Sequence, residues 1–270
     1  MFDDYLISWG LTPDGAPLVT HSSRLLPVRC PGNGGAPAML KIPVEPEEKF
    51  GAGLMVWWDG EGAARVLAHD PESGALLLER ATGTRSLASM ARGGEDDEAT
   101  RLLCRAVQRL HAPRGRPLPD LIPLTRWFRD LWPAAAAHGG ILARCAMEAR
   151  ALLATPRDEV PLHGDIHHGN VLDFGPERGW LAIDPKRLYG ERAFDYANLF
   201  CNPDRETATA PGRLARRANL VAEESGLDRT RLLRWVLVWA GLSATWMMED
   251  GGATPEVVLS VAEMAAAELG

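Results

Sequence analysis

One short polar segment carries the residue types that phosphoryl transfer needs. Residues 163–170 read His-Gly-Asp-Ile-His-His-Gly-Asn, and a second aspartate, Asp184, ends an apolar run nineteen residues after Asp165. A carboxylate such as Asp165 can orient a hydroxyl group and accept its proton, while an amide and a second carboxylate can hold magnesium against phosphate groups. These residues therefore predict a phosphoryl-transfer site, with Asp165 as catalytic base and Asn170 and Asp184 as ligands of Mg²⁺.

The spacing within this segment is that of a kinase catalytic loop. Such loops have the form H-x-D-x-x-x-x-N and are followed by a short strand and a metal-binding aspartate. Asp165 and Asn170 are five residues apart, and the apolar segment Trp180-Leu-Ala-Ile183 leads into Asp184. Gly164 stands where protein kinases carry arginine. This difference favours a small molecule over a protein as the acceptor.

Three histidines in the segment allow another interpretation. His167 and His168 could suggest a zinc site or a metal-dependent hydrolase, but neighbouring side chains on an extended segment point to opposite faces and rarely bind one ion. We expect His163 to support the loop through hydrogen bonds. For His167 the sequence leaves two roles open, a contact to the γ-phosphate or a hydrogen bond behind the loop. Asp195, at the start of a predicted helix, is expected to accept backbone N–H groups of the loop and so to support the site.

The first eighty residues read mainly as short strands. Lys41 ends the fourth of them, and Glu47 and Glu48 open a helix predicted to run to Trp58. A strand lysine that contacts the α- and β-phosphates and is held by a helix glutamate is typical of kinases, and we prefer Glu48 for this glutamate. Strands are predicted at 6–9, 17–20, 25–29, 36–42, 63–68 and 74–79.

Other contacts to a nucleotide are expected from backbone groups. No G-x-G-x-x-G pattern occurs near the N-terminus, and His21-Ser-Ser-Arg24 lies between two predicted strands. Ser22 and Ser23 are our candidates for contacts to phosphates, with an ordinary hairpin turn as the alternative. Adenine would be bound by backbone groups of a hinge, from Glu79 to Ala81.

The rest of the chain has helical periodicity. Apolar residues at 99, 102, 103, 106, 107 and 110 form one stripe, and His111 at its end is expected to be structural. We therefore predict an α+β fold with two lobes, a small strand-rich nucleotide-binding lobe (1–80) and a larger helical catalytic and substrate-binding lobe (81–270), joined by a hinge at about 79–83. Further helices are predicted at 124–136, 139–154, 193–200, 212–225, 229–248 and 254–268.

Composition limits the class of partner. The chain has 36 acidic and 29 basic residues, a net charge of −7 and a pI near 5.5. This balance disfavours nucleic acid and anionic membranes as partners. It suits a cationic small substrate, or serves solubility alone. Four scattered cysteines and an N-terminus unlike a secretory signal favour a cytoplasmic protein, which we expect to be a monomer.

Taken together, the motifs resemble those of the aminoglycoside phosphotransferases. Over nearly the whole chain the sequence looks like their streptomycin 6-phosphotransferase branch, also called the aminoglycoside/hydroxyurea kinases. The segments that carry the resemblance are Lys41, Leu162-His-Gly-Asp-Ile-His-His-Gly-Asn170, Trp180-Leu-Ala-Ile-Asp-Pro185, Gly190-Glu-Arg-Ala-Phe-Asp-Tyr-Ala-Asn198 and Gly241-Leu-Ser-Ala-Thr-Trp246.

The resemblance implies a protein-kinase-like fold that uses ATP with Mg²⁺. It further implies phosphorylation of a streptidine hydroxyl of streptomycin, at the 6-position, which would inactivate the antibiotic. By residue, Asp165 matches the catalytic aspartate, Asn170 and Asp184 the magnesium ligands, and Lys41 the phosphate-binding lysine. Two other functions are weighed beside this one: a kinase of another small hydroxylated amine (hydroxyurea, choline or a ketosamine), and a kinase-like protein that binds without catalysis.

Residues that bind the acceptor are harder to assign from sequence. Acidic side chains on the C-terminal helices are expected to hold guanidinium groups. Glu249 and Asp250 are our first candidates, and Asp204 and Glu206 the second. Two cations that follow Asp184-Pro185, Lys186 and Arg187, would repel a dicationic substrate if they pointed into the site, and could instead face the phosphates or solvent.

Overall fold

The N-terminal part of the chain is built on one antiparallel sheet. The computed structural model describes residues 2–44, 46–250 and 254–270, with the backbone alone for 46–50 and 250. The strands are β1 (Thr12–Pro13), β2 (Leu18–Val19), β3 (Ser23–Cys30), β4 (Ala36–Pro43), β5 (Val66–His69) and β6 (Leu76–Glu79). They pair in the order β1-β3-β4-β6-β5, and β2 also pairs with β3. Five of the six strands predicted here from sequence are confirmed in position.

Two helices accompany this sheet. Helix α2 (Pro46–Trp58) confirms the helix predicted up to Trp58, whereas helix α1 (Asp3–Ser8) shows that the strand predicted at 6–9 is wrong. Residues three and four apart lie on one side of a helix, and α1 with its flanks has apolar residues at that spacing. Four residues of this helical segment pack against the small apolar cluster on one face of the sheet, namely Phe2, Tyr5, Leu6 and Trp9.

The remainder of the chain is mainly helical. Buried residues of α4 lie at 99, 103, 106, 107 and 110, which confirms the predicted stripe. The short helices α3 and α9 were not predicted. The helices are α3 (Leu87–Arg92), α4 (Asp96–His111), α5 (Leu124–Trp127), α6 (Leu131–His138), α7 (Gly140–Ala154), α8 (Phe194–Ala197), α9 (Arg205–Ala208), α10 (Arg213–Ser225), α11 (Arg229–Asp250) and α12 (Glu256–Leu269).

Five short strands in the helical part position the polar segment. They are β7 (Ile122–Pro123), β8 (Glu159–Leu162), β9 (Val171–Asp173), β10 (Trp180–Ala182) and β11 (Leu188–Glu191). Residues 163–170 form the loop from β8 to β9, and β10 returns antiparallel to β9 and leads to Asp184. Strand β11 then pairs with β8 and β7. Both ends of the loop are thereby held in sheets.

Backbone hydrogen bonds join the N-terminal and helical parts. Ala64 N–H donates to Ala182 O at 2.9 Å, and Ala182 N–H donates to Gly62 O at 3.0 Å. After β6, residues 80–86 have no regular secondary structure, and Gly83 N–H donates to Asp173 O at 2.9 Å. All four cysteines are buried free thiols. No helix within the described ranges is both long and apolar enough to span a membrane.

Candidate active site

The loop between β8 and β9 rests on one buried carboxylate. Asp195, at the start of α8, is 1% exposed. Its Oδ2 accepts His163 N–H at 2.9 Å and lies 2.8 Å from His111 Nε2, and its Oδ1 accepts Gly164 N–H at 2.7 Å. Hydrogen bonds to an ionised acceptor are shorter and stronger than neutral ones. Asp195 therefore fixes the backbone at the start of the loop.

His163 connects this loop to the strand that precedes Asp184. Its Nε2 lies 2.7 Å from Ile183 O, an acceptor, so this nitrogen carries the proton, and Nδ1 accepts Asp165 N–H at 3.2 Å. The ring is fully buried and stacks on Trp58 at 6.1 Å between centroids. Burial lowers the pKa of His163. The neutral imidazole thus serves as a two-way hydrogen-bond link.

Gly164 must be glycine in this arrangement. Its φ is +83°, a region that residues with a Cβ rarely adopt, and a Cβ would lie 2.7 Å from Leu188 Cδ1. An arginine at this position would combine the positive φ with this close contact of its Cβ to the Leu188 side chain.

Asp165 lies in the loop between β8 and β9, and both of its carboxylate oxygens are hydrogen-bonded. Asn198 Nδ2 donates to Oδ1 at 2.9 Å, and Asn170 Nδ2 lies 3.3 Å from Oδ2 and 2.9 Å from Asp165 O. Burial raises the pKa of the Asp165 carboxyl, while His167 and Lys186 act in the opposite direction. The positive charge of Lys186 therefore favours the ionised form of this carboxylate.

Asn170 and Asp184 offer oxygen atoms suited to Mg²⁺. Because the side-chain amide nitrogen of Asn170 is used by Asp165, the side-chain amide oxygen is the atom that can bind a metal. The backbone carbonyl of Asn170 accepts Ile183 N–H at 2.9 Å, which holds the residue in place. Asp184 is partly exposed, with φ of +59°. Such strained backbone in a residue other than glycine is common at functional sites. Mg²⁺ prefers a few hard oxygen ligands and keeps waters or phosphate oxygens in its other positions, so these two residues fit the ion.

Lys41 reaches the same place from the N-terminal sheet. Alternation along β4 directs Ala38 and Leu40 into the cluster on one face of the sheet, and Lys41 to the other face. Its Nζ lies 2.6 Å from Asp184 Oδ1, and the side chain is 7% exposed. The structure thus brings together two predicted residues that are 143 positions apart. The side chain of Glu48 lies outside the described residues.

The candidate nucleotide contacts fall at two places in the N-terminal part. Ser23 belongs to β3, opposite Pro43, with a buried side chain, and Ser22 O accepts Val44 N–H at 2.8 Å. At the other place, Glu79 N–H donates to Arg65 O, and the Glu79 carboxylate binds Arg178 at 2.6 Å. The backbone groups of Ala81 have no hydrogen-bond partner among the described residues.

The two adjacent histidines have different environments. His167 is partly exposed and its Nδ1 accepts Gly169 N–H at 3.0 Å. His168 is 3% exposed, and burial, with the nearby Arg217 and Arg213, lowers its pKa to about 3. Both arginines bind Asp96, which is also buried. His168 therefore packs behind the loop as a neutral ring.

The candidates for acceptor binding are dispersed. Glu249 is exposed and lines a cavity of about 270 Å³ with Pro133, His138 and Met248, none of which belongs to the loop. The side chain of Asp250 lies outside the described residues. Asp204 caps α9 and binds Arg92 at 2.6 Å. Exposed Glu206 lies in the same short helix.

The two cations after Asp184-Pro185 diverge. Arg187 donates to Asp120 Oδ2 at 2.6 Å, whereas Lys186 acts on Asp165. Arg187 therefore has at least one carboxylate partner outside the catalytic loop.

Sequence reasoning missed two asparagines at the site. Asn198 holds Asp165, and Asn202 Nδ2 donates to Asn198 Oδ1 at 2.8 Å. A signal existed, because Asn198 follows Asp195 by three residues and such pairs lie on one side of a helical turn. The contact of His111 with Asp195 agrees with the structural role expected for His111.

Comparisons with known proteins agree with this geometry. The family of aminoglycoside/hydroxyurea antibiotic resistance kinases matches residues 8–251. A streptomycin 3''-kinase of Klebsiella pneumoniae is 55% identical over 90% of this chain and 91% of its own length. A streptomycin 6-kinase of Streptomyces glaucescens is 36% identical over 94% and 84%.

A solved structure extends the comparison to the fold. It is the aminoglycoside phosphotransferase APH(3'')-Id of Streptomyces rimosus in complex with ADP and streptomycin, with a TM-score of 0.56 and 22% identity over 90% of this chain and 98% of that one. This likeness, together with the strand-rich N-terminal sheet and helical C-terminal part, confirms the predicted protein-kinase-like fold. The protein belongs to the aminoglycoside/hydroxyurea antibiotic resistance kinases.

Proposed function

We propose that this protein transfers the γ-phosphoryl group of ATP to a hydroxyl group of streptomycin and thereby inactivates the antibiotic. The observation that carries the proposal is the convergence of Lys41 and Asp184 at 2.6 Å beside a loop in which Asn170 and Asp165 are hydrogen-bonded to each other. Membership of a family of resistance kinases supports the same reaction.

Asp165 acts as the base in this reaction. The acceptor oxygen forms a bond to the γ-phosphorus, the bond from that phosphorus to the oxygen of ADP breaks, and the hydroxyl proton passes to Asp165. In a loose transition state the proton leaves late, so the main work of the carboxylate is to orient the hydroxyl. Burial of Asp165 favours proton acceptance because it raises the pKa of the carboxyl.

Asn170 and Asp184 would hold Mg²⁺ at the phosphate end of the nucleotide. The bound ion would supply positive charge that compensates the charge of the phosphate groups. Asn170 offers its amide oxygen and Asp184 its carboxylate. The ion pair of Asp184 with Lys41 keeps both side chains in place until nucleotide binds. Lys41 then exchanges part of this contact for the phosphates.

Nucleotide binds between the sheet and the helical part. The backbone of Ala81, which has no partner within the described residues, binds adenine, and Ser22 contributes to the phosphate side. Glu79 supports nucleotide binding indirectly. Its carboxylate lies 2.6 Å from the Arg178 guanidinium, and this ion pair stabilises the hinge.

The position of the phosphate on streptomycin is a separate question. We infer the 3''-hydroxyl, because the relative at 55% identity is a 3''-kinase, whereas the 6-kinase compared above is 36% identical. The 6-hydroxyl, expected from the sequence resemblance, is the second candidate. Streptomycin 3''-kinases and 6-kinases are both among the relatives, and the higher identity favours the 3''-hydroxyl.

An acceptor panel tests the proposal. Purified protein is given ATP and Mg²⁺ with streptomycin, kanamycin, choline or hydroxyurea, and ADP release is followed. Of the four acceptors, we expect only streptomycin to give rapid ADP release. Correlation of ³¹P with ¹H resonances of the product then locates the phosphate. Release with hydroxyurea or choline but not streptomycin would overturn the proposed acceptor. Phosphate on the 6-hydroxyl would overturn only the position.

A further inference from the structure

A buried amide holds the carboxylate that the proposed reaction uses as its base. Asn198 lies in the 3-10 turn after α8 and is 4% exposed. Its Nδ2 donates to Asp165 Oδ1 at 2.9 Å, which is shorter than the 3.3 Å from Asn170 Nδ2 to Oδ2. The better-formed contact of the catalytic carboxylate is therefore with a residue outside the catalytic loop.

A second amide determines which way Asn198 faces. Asn202 Nδ2 donates to Asn198 Oδ1 at 2.8 Å and to Asn198 O at 3.0 Å. A flipped Asn198 amide would place NH₂ against NH₂ on one side and oxygen against the carboxylate on the other. Both contacts would be repulsive. Asn202 thus ensures that Asn198 presents a donor to Asp165.

The backbone of Asn202 is itself anchored in the protein interior. Asn202 O accepts Arg213 Nη2 at 3.0 Å, and Arg213 binds Asp96 through two hydrogen bonds, at 2.9 and 3.0 Å. Asp96 and Arg213 are both less than 10% exposed. A continuous chain of hydrogen bonds therefore runs from α4 and α10 to the catalytic carboxylate.

We propose that Asn198 is a positioning residue for Asp165, with Asn202 fixing the direction of its amide; this rests on the proposed phosphoryl transfer. A carboxylate on a short side chain can rotate about its two side-chain bonds. The bond from Asn198 restricts that rotation, and the remaining lone pairs of Asp165 stay directed at the acceptor hydroxyl. Misplacement of a catalytic group by about 1 Å can cost on the order of a hundredfold in rate.

Substitutions at Asn198 separate positioning from packing. Asp has the shape of Asn but only accepts hydrogen bonds, and it would bring a second carboxylate against Asp165. We expect kcat to fall roughly tenfold to a hundredfold in Asn198→Ala and further in Asn198→Asp, with KM for ATP and acceptor within about twofold. A residue that only filled space would give the opposite order, with Asp milder than Ala. The fraction of competent protein is measured by nucleotide-binding stoichiometry.

A double-mutant cycle tests whether Asn198 acts through Asp165. In an Asp165→Ala background, Asn198→Ala should cause no further loss in kcat, because the group that it positions is gone. Asn202→Ala should give a smaller loss than Asn198→Ala. Asn219→Ala is the matched control, since its amide oxygen accepts from Arg229 Nε and not from the loop, and it should behave as wild type.

Two outcomes would overturn the inference. One is an unchanged kcat in both Asn198 variants, and the other is a loss from Asn198→Ala that is the same with and without Asp165. Absence of streptomycin-dependent ADP release by the wild type is a different result. It would refute the proposed acceptor, and the same variants would then be ranked by their slow transfer from ATP to water.

Discussion

Two aspartates on either side of the catalytic loop are held in opposite ways. Asp195 is 1% exposed and contacts three donors in the protein, two backbone N–H groups and the His111 ring. Asp184 has a side chain that is 35% exposed, and its carboxylate pairs with Lys41 at 2.6 Å. One carboxylate is enclosed by the fold, and the other is partly open to solvent.

The difference shows how stability and chemistry are divided between them. A buried carboxylate that satisfies several donors cannot exchange partners without leaving those donors unpaired, which costs about 1–3 kcal/mol for each. A partly exposed carboxylate loses less when it exchanges a lysine for a metal ion or solvent. Asp195 therefore maintains the shape of the loop, while the proposed reaction requires Asp184 to change its contacts, which its partial exposure allows.

The largest expected effect follows removal of the enclosed carboxylate. Asp195→Ala leaves two buried N–H groups and His111 without their acceptor, so the free energy of unfolding should fall by about 3 kcal/mol or more, with loss of activity. Urea denaturation followed by tryptophan fluorescence measures this change. A stability equal to that of wild type would mean that Asp195 does not support the loop.

The matched substitution at the exposed carboxylate should separate activity from stability. Asp184→Asn keeps the shape but removes the charge, and we expect kcat to fall at least about a hundredfold because charge on the phosphates is no longer compensated. The urea midpoint should fall less than in Asp195→Ala, because Asp184 is partly exposed. Near-normal turnover, or unfolding as severe as that of Asp195→Ala, would break the contrast.

A smaller effect is expected where the backbone of the loop turns. Gly164→Ala combines a φ of +83° with a Cβ 2.7 Å from Leu188 Cδ1, and should destabilise the protein by about 1–3 kcal/mol. Gly94→Ala is the control, since φ is +93° and nothing lies within 4 Å of its Cβ. The difference between the two variants in thermal unfolding isolates the clash from the strain. Equal effects would show that Leu188 yields to the added carbon.

The smallest effect is expected at an ion pair that water reaches freely. Arg205 and Glu256 lie 2.6 Å apart with side chains 67% and 58% exposed. Such pairs contribute about 1 kcal/mol or less, so Arg205→Ala should leave both kcat and the urea midpoint nearly unchanged. A loss comparable to that at Asp195 would mean that exposure is a poor guide to the role of these carboxylates.

The elements that were predictable from sequence are those with long, regular patterns. The stripe of α4 and the helices from α10 to α12 have several turns, so their periodicity is distinct. Helix α1 has fewer than two turns, and its apolar spacing at residues 2, 5, 6 and 9 was outweighed by a short run that resembled a strand. Helices α3 and α9 are also short, and each is marked only by its N-cap, Ser86 and Asp204.

The candidate site was predictable where a motif places its residues close in sequence. The spacing of Asp165 and Asn170 is part of the loop motif, and the position of Lys41 is given by the strand pattern around it. The contact of Asn198 with Asp165 joins residues 33 apart. The three-residue spacing from Asp195 places Asn198 on the same side of the turn, but its pairing with Asp165 depends on tertiary packing. The acceptor residues depend on tertiary placement in the same way, and the assignment of Glu249 stays a prediction.

The most direct test of the account is the rate of ADP release by Asp165→Ala with streptomycin, ATP and Mg²⁺, measured beside the wild type. Removal of the base also removes the group that orients the hydroxyl, so kcat should fall at least about a hundredfold, with nucleotide binding and the urea midpoint preserved. Turnover close to that of the wild type would contradict the assignment of Asp165, and with it the mechanism proposed for this site.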